Sequence, residues 1–252
     1  MSSKEIDITH LIKENSLINE YMAICQKNEL YSALAPYATN LRDKRAFARI
    51  AELGLKTGRT KSTDWENAVV LDLAGGHIGN VDGGDHESPF FFPWFATAMT
   101  LLGASAYSLD KLPYESLGNI KSFDLHTMTD AMKQLHTLIV YDLKEGLENP
   151  TTLANDLCKY DEKLASGVDL INCTMFLSLD HIHETSPSFA QQIGLKIDLG
   201  NRIVDTQLNR DRITTYLDGI KQFATLSLKK NGILYLNDEI YRKGENKLIA
   251  VE

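Results

Sequence analysis

The stretch Val69-Val70-Leu71-Asp72-Leu73-Ala74-Gly75-Gly76-His77-Ile78-Gly79 constrains the fold more than any other part of the chain. Apolar and β-branched positions run into an acid, and the acid runs into a glycine-rich turn. A short buried strand followed by such a turn is how an open α/β sheet presents a nucleotide-like ligand. Glycine lets the backbone approach the ligand closely, and such sheets bind at the carboxyl ends of their strands.

Strand-like and helix-like segments alternate after this point, which favours an α/β fold over a β-sandwich. The expected strands are Ala68–Leu73, Ala104–Leu109 closed by Asp110, Thr137–Tyr141 ending at Asp142-Leu143, Val168–Thr174 and Ile233–Leu236, with one more at Lys247–Val251. Ser122–Leu125 is a weaker rival for the third strand, because it follows Asp110 too closely for a crossover helix. Phe95, Met99 and Leu102 mark a helix that Gly103 stops. Residues 113–135 and 153–165 are expected to be helical, as is the segment carrying Ile213, Tyr216, Leu217, Ile220, Phe223 and Ala224. Lys229-Lys230-Asn231-Gly232 reads as that last helix's end, with cations and then glycine. Residues 1–65 read as a helical N-terminal cap on a core of residues 66–252. The cap's best pattern is Leu41, Phe47, Ala48, Ile50, Leu53 and Leu55, with Arg42, Lys44, Arg45 and Arg49 on a solvated face. The whole is an α/β chain with a doubly wound, mostly parallel sheet.

A chain of 252 residues, 43% hydrophobic, is long enough for one sizeable core. A net charge of −8 argues against bulk nucleic-acid binding. No apolar run is long enough to span a bilayer, and Met1-Ser2-Ser3-Lys4-Glu5 does not open a signal peptide, so no membrane partner is expected. Cys25, Cys158 and Cys173 form no Cys-x-x-Cys pair, so reduced thiols in a cytoplasmic protein are expected, without a cysteine zinc site.

Taken in order, these segments resemble the class I S-adenosylmethionine-dependent methyltransferase family, over roughly residues 66–240. Asp72-Leu73-Ala74-Gly75-Gly76-His77-Ile78 stands in the register of the family's first motif. Leu109-Asp110 matches its second acidic strand end, and Asp142-Leu143 its third. Val168-Asp169-Leu170-Ile171-Asn172 looks like its fourth strand, and Lys229-Lys230-Asn231-Gly232-Ile233 its approach to the fifth. Ala74 replaces the family's first glycine, Ile78 its third, loop 80–93 is longer, and no helix is expected between the fifth strand and the last.

The resemblance implies S-adenosylmethionine as cofactor. Asp72, Ala74, Gly75, Gly76 and His77 would meet its methionyl side. Asp110, with Lys111 beside it, would accept the ribose hydroxyls. Asp142 and Leu143 would hold the adenine, and Asn172 and Cys173 would lie by the reacting methyl. It implies in-line transfer to a small-molecule or peptide acceptor, in which the protein supplies alignment and a base. Asp180-His181-Ile182-His183-Glu184 follows the fourth strand, and His181 and His183 are its candidate bases. His-x-His spacing is too local to complete a metal site, so none is expected. His77, Asp82, Asp85 and His86 form a second polar cluster, and Phe90, Phe91, Phe92 and Trp94 read as a helix entry or pocket wall. Asn172-Cys173-Thr174-Met175 stands where related enzymes for amide or adenine nitrogens carry Asn-Pro-Pro-Tyr, which disfavours those acceptors. Two rival classes share the pattern: a methyltransferase-like binding module without turnover, and an NAD(P)-dependent oxidoreductase. The second fits less well, because Gly75–Gly79 does not spell Gly-x-Gly-x-x-Gly.

Overall fold

A computed structural model describes residues 16–30, 42–73, 94–110, 133–135, 137–173, 196, 206–237 and 239–251. Its centre is a seven-stranded sheet of order β3-β2-β1-β4-β5-β6-β7. The strands are β1 (Val69–Leu73), β2 (Ser105–Asp110), β3 (Thr137–Val140), β4 (Val168–Cys173), β5 (Leu228–Leu236), β6 (Glu239–Lys243) and β7 (Leu248–Ala250). β1 to β5 pair in parallel, whereas β6 and β7 join antiparallel at one edge. The chain builds outward from β1 through β2 to β3, then returns to β1's other side with β4 and β5. The order reverses between β1 and β4, which is the topological switch point of a Rossmann-like sheet.

Helices cover both faces. On face A lie α1 (Ser16–Gln26), α2 (Arg42–Thr57) and α3 (Trp94–Leu101). On face B lie α4 (Leu143–Glu148), α5 (Pro150–Cys158), α6 (Lys163–Ser166) and α7 (Gln207–Ser227). Side chains alternate across a strand, so each strand feeds both layers. Val70, Ala106, Leu170, Ile233 and Tyr235 join Ile18, Tyr21, Phe47, Ile50, Phe95 and Met99 in the face-A core. Val69, Leu71, Leu73, Leu109, Ile139, Ile171 and Leu234 join Leu147, Leu153, Leu157, Ile213, Ile220 and Phe223 in the face-B core. β1 and β4 are buried along their whole length, as central parallel strands are. The N-terminal helices and the sheet thus share one continuous buried cluster. Trp65, in the 3-10 turn Ser62–Trp65 before β1, donates its Nε1–H to the buried Tyr21 hydroxyl at 3.1 Å and fixes α1.

The first four strands fall within one residue of their expected bounds, but other elements differ. The expected helix 153–165 is broken: α5 ends at Cys158 and α6 starts at Lys163. Lys229–Gly232 does not end α7, which stops at Ser227; these residues lie inside β5. There the register jumps from Val168↔Leu228 to Leu170↔Ile233, and Asn231 adopts φ 65°. The extra residues form a bulge. Gly232 is required in it, since a Cβ would lie 2.9 Å from the Lys229 carbonyl oxygen and 3.0 Å from that of Val168. β6 was absent from the expected strands; it follows a turn at Asn237, which adopts φ 54°. Leu55, assigned by periodicity to α2's apolar pattern, is 61% exposed. Among the described residues no helix is long and apolar enough to cross a membrane.

Candidate ligand-binding site

The parallel register sets one row of side chains across face A near the carboxyl ends of the strands. Leu138, Ser108, Asp72, Asn172 and Tyr235 are successive Cα partners along it. The three middle members are polar, although each is at most 2% exposed. Asn172 Nδ2 donates to Asp72 Oδ1 at 2.6 Å, so one hydrogen bond joins β1 to β4 across the switch point. Asp72 Oδ2 and the Ser108 hydroxyl are buried without a hydrogen-bond partner among the described residues. Buried polar atoms of this kind are uncommon in structural cores and mark places that hold a ligand, a water or a proton.

Asp72 is the electrostatic centre of this row. Burial raises its pKa from 3.8 to about 7. The Asn172 hydrogen bond, the Arg49 charge and the Ala96 backbone amide in α3's first turn oppose that rise, and Asp110 adds to it. At neutral pH this carboxyl can therefore hold or release a proton. Asp110 ends β2 two residues beyond Ser108, so alternation brings it to the same face, where it is half-buried. Its backbone carbonyl accepts from Tyr141 N–H at 2.7 Å, which ties the ends of β2 and β3.

The other expected site residues divide. Asp142 caps α4, its Oδ1 accepting from Lys144 N–H at 3.1 Å, and Leu143 is buried in the face-B core. Cys173 turns to face B, the face opposite that of Asp72 and Asn172, and is fully buried there. Burial and the Asp72 charge push its thiol pKa far up, which makes it a packing group rather than a nucleophile. Ala74, Gly75, Gly76, His77, Lys111, His181 and His183 lie outside the described residues, as do the 80–93 loop and the rival strand at 122–125.

Arg49, Ser108 and the Tyr235–Glu52 pair were not expected at the site. Tyr235 donates its hydroxyl to Glu52 Oε2 of α2 at 3.1 Å. Arg49 was assigned to a solvated face, yet it lies three residues after buried Ala46 and four before buried Leu53. That spacing places it on the flank of α2 that meets the core, a signal present in the sequence. Comparison of the chain with family models, with curated proteins and with solved structures gives no significant match. What the geometry defines is a doubly wound α/β protein with a polar row at its switch point.

Proposed function

We propose that this chain is an S-adenosylmethionine-dependent methyltransferase that acts by in-line transfer on a small-molecule or peptide acceptor in a cytoplasmic setting. The observation that carries this reading is the Asp72–Asn172 hydrogen bond across the β1–β4 switch point, with Asp110 on the same face at the next strand end. In doubly wound sheets an acid at the second strand's end accepts ribose hydroxyls, and Asp110 has that position. The cofactor, when bound, supplies an activated methyl on a sulfonium centre.

The chain's own residues supply position and charge. Asp110 fixes the ribose end. Asp72 and Asn172 brace the carboxyl ends of β1 and β4 against each other. Their acidic side favours a cationic ligand. His181 and His183, in the segment after β4, are the proposed bases that take a proton from the acceptor. Cys25, Cys158 and Cys173 are all free thiols, which fits a reducing compartment. Asp110→Ala tests the assignment, because the residue ends a strand rather than filling the core. Calorimetry is expected to show at least a tenfold loss of S-adenosylmethionine affinity with an unchanged melting temperature. Equal affinity in the variant would remove the ribose role.

A further inference from the structure

β7 is the outermost strand of the sheet, with no strand on its far side among the described residues. Its ladder to β6 fixes which of its backbone groups face outward. Val251 N–H donates to the Ile240 carbonyl, and the Lys247 carbonyl accepts from Gly244 N–H, both at 2.8 Å. Residues of an antiparallel pair alternate in the side to which their N–H and C=O point, so Lys247, Ile249 and Val251 turn theirs inward to β6. Leu248 and Ala250 therefore turn theirs, two N–H and two C=O groups, outward. The composition of the two strands is the reverse of what an open edge needs. β6 carries Glu239, Arg242 and Lys243, whereas β7, outside it, is Leu-Ile-Ala followed by Val251, without a charge or a proline. Charges, prolines and bulges are what keep an edge strand from pairing. Ile249 is 51% exposed at the centre of β7, and Ala250 is exposed beside it. Val251 packs on the face-A core and Leu248 on the face-B core, so the strand is anchored to both layers.

We propose that β7 pairs antiparallel with β7 of a second copy of this chain, so that two seven-stranded sheets become one continuous sheet. The outward groups fix the register. A twofold axis beside Ile249 sets Leu248 of each copy opposite Ala250 of the other, and all the outward N–H and C=O groups are then satisfied. Ile249 meets Ile249 of the other copy in a pair without mutual hydrogen bonds, where side chains come closest, so the exposed apolar group at the strand's centre is covered. Lys247 falls beside Val251 of the other copy, so the flanking cations do not oppose each other. An apolar edge favours an apolar partner strand, and the chain's own β7 is one, present at equal concentration. The twofold contact uses up both β7 edges and closes on itself rather than growing into a filament. One short strand per copy makes a small contact, so the dimer is weak and depends on concentration. The proposal is independent of the cofactor reading, which concerns the carboxyl ends of β1, β2 and β4.

Sedimentation velocity of the full chain from about 5 to 500 µM tests this, with a monomer expected at the low end and a dimer at the high end. Ala250→Pro removes an outward N–H and leaves the ladder to β6 intact, so it is expected to weaken the dimer at least about tenfold with a melting temperature within about 2 °C of wild type. Ile249→Lys places a charge opposite its own copy and is expected to do the same. Crosslinking reads the register. In a Cys158→Ser background, which removes the exposed native thiol, Ile249→Cys is expected to form an intermolecular disulfide with oxidised glutathione. Lys247→Cys is not, because the two copies of that position lie about 14 Å apart along the strands. A monomer at every concentration overturns the proposal and leaves the edge to a strand from another protein. A dimer that survives both Ala250→Pro and Ile249→Lys lies on another face and overturns it too. So does failure of Ile249→Cys to crosslink, whether or not the other two variants keep their stability.

Discussion

Asp72→Asn is the most informative single substitution, because it removes a buried ionisable group at the centre of the site and keeps its shape. In the unfolded chain this carboxyl ionises near 3.8, and in the folded chain near 7. Between those values the native state holds a proton that the unfolded state has lost, so the contribution to stability falls as pH rises. One pKa unit is worth about 1.4 kcal/mol, so the penalty is about 2 kcal/mol at pH 5 and about 4 kcal/mol at pH 8. Wild type is thus expected to lose about 2–3 kcal/mol over this window relative to Asp72→Asn. Other shifted carboxyls do not interfere. Asp156 and Asp161 are lowered, by hydrogen bonds from Lys159 and Tyr107 respectively, so their contributions are lost only as pH falls below the ordinary carboxylate range. Urea denaturation of both proteins at pH 5, 6, 7 and 8 reads the effect. Parallel stability curves across that range would show that Asp72 is not held protonated by its burial, and would refute the electrostatic description of the site.

Two further substitutions test the frame that holds the row in place. A Cβ at Gly219 would lie 2.3 Å from the Leu147 carbonyl oxygen, so Gly219→Ala forces α7 away from α4 and is expected to cost about 2–4 kcal/mol in urea denaturation, with stability near wild type counting against that packing. Tyr21→Phe leaves the buried Trp65 N–H without its acceptor and is expected to cost about 1–3 kcal/mol; a loss below a few tenths would mean that α1 is held by packing alone.

The sequence exposed what local chemistry determines. β1 and β4 are short apolar runs bounded by polar turns, and their buried acid and amide stand out against that background. The acids that close β2 and β3 were equally legible, but not what they do. Asp142 is committed to capping α4, a role set by the chain immediately after it, whereas Asp110 ends its strand on face A. Lys229-Lys230-Asn231-Gly232 was misread because a helix end and a β-bulge require the same residues: Asn and Gly tolerate positive φ in either setting. Only pairing with Val168 and Leu170 distinguishes them, and that pairing is sixty residues distant. β6 was missed because Glu239, Arg242 and Lys243 give an edge strand the composition of a loop, as charged edge strands tend to have. Arg49 escaped for a different reason. Its charge suggested solvent, and its helical spacing from Ala46 and Leu53 suggested the core; tertiary packing settles the matter by placing α2 alongside the carboxyl ends. Cys173 follows Asn172 by one residue, and strand alternation sends it to the opposite face, which sequence adjacency had concealed.

Calorimetric titration of the purified chain with S-adenosylmethionine and S-adenosylhomocysteine, with NAD and NADP as controls, tests the central claim most directly. The account predicts micromolar binding of both sulfur cofactors and none of the nicotinamides. Binding of NAD or NADP alone would assign the switch point to hydride chemistry, and binding of none of the four would contradict its reading as a cofactor site.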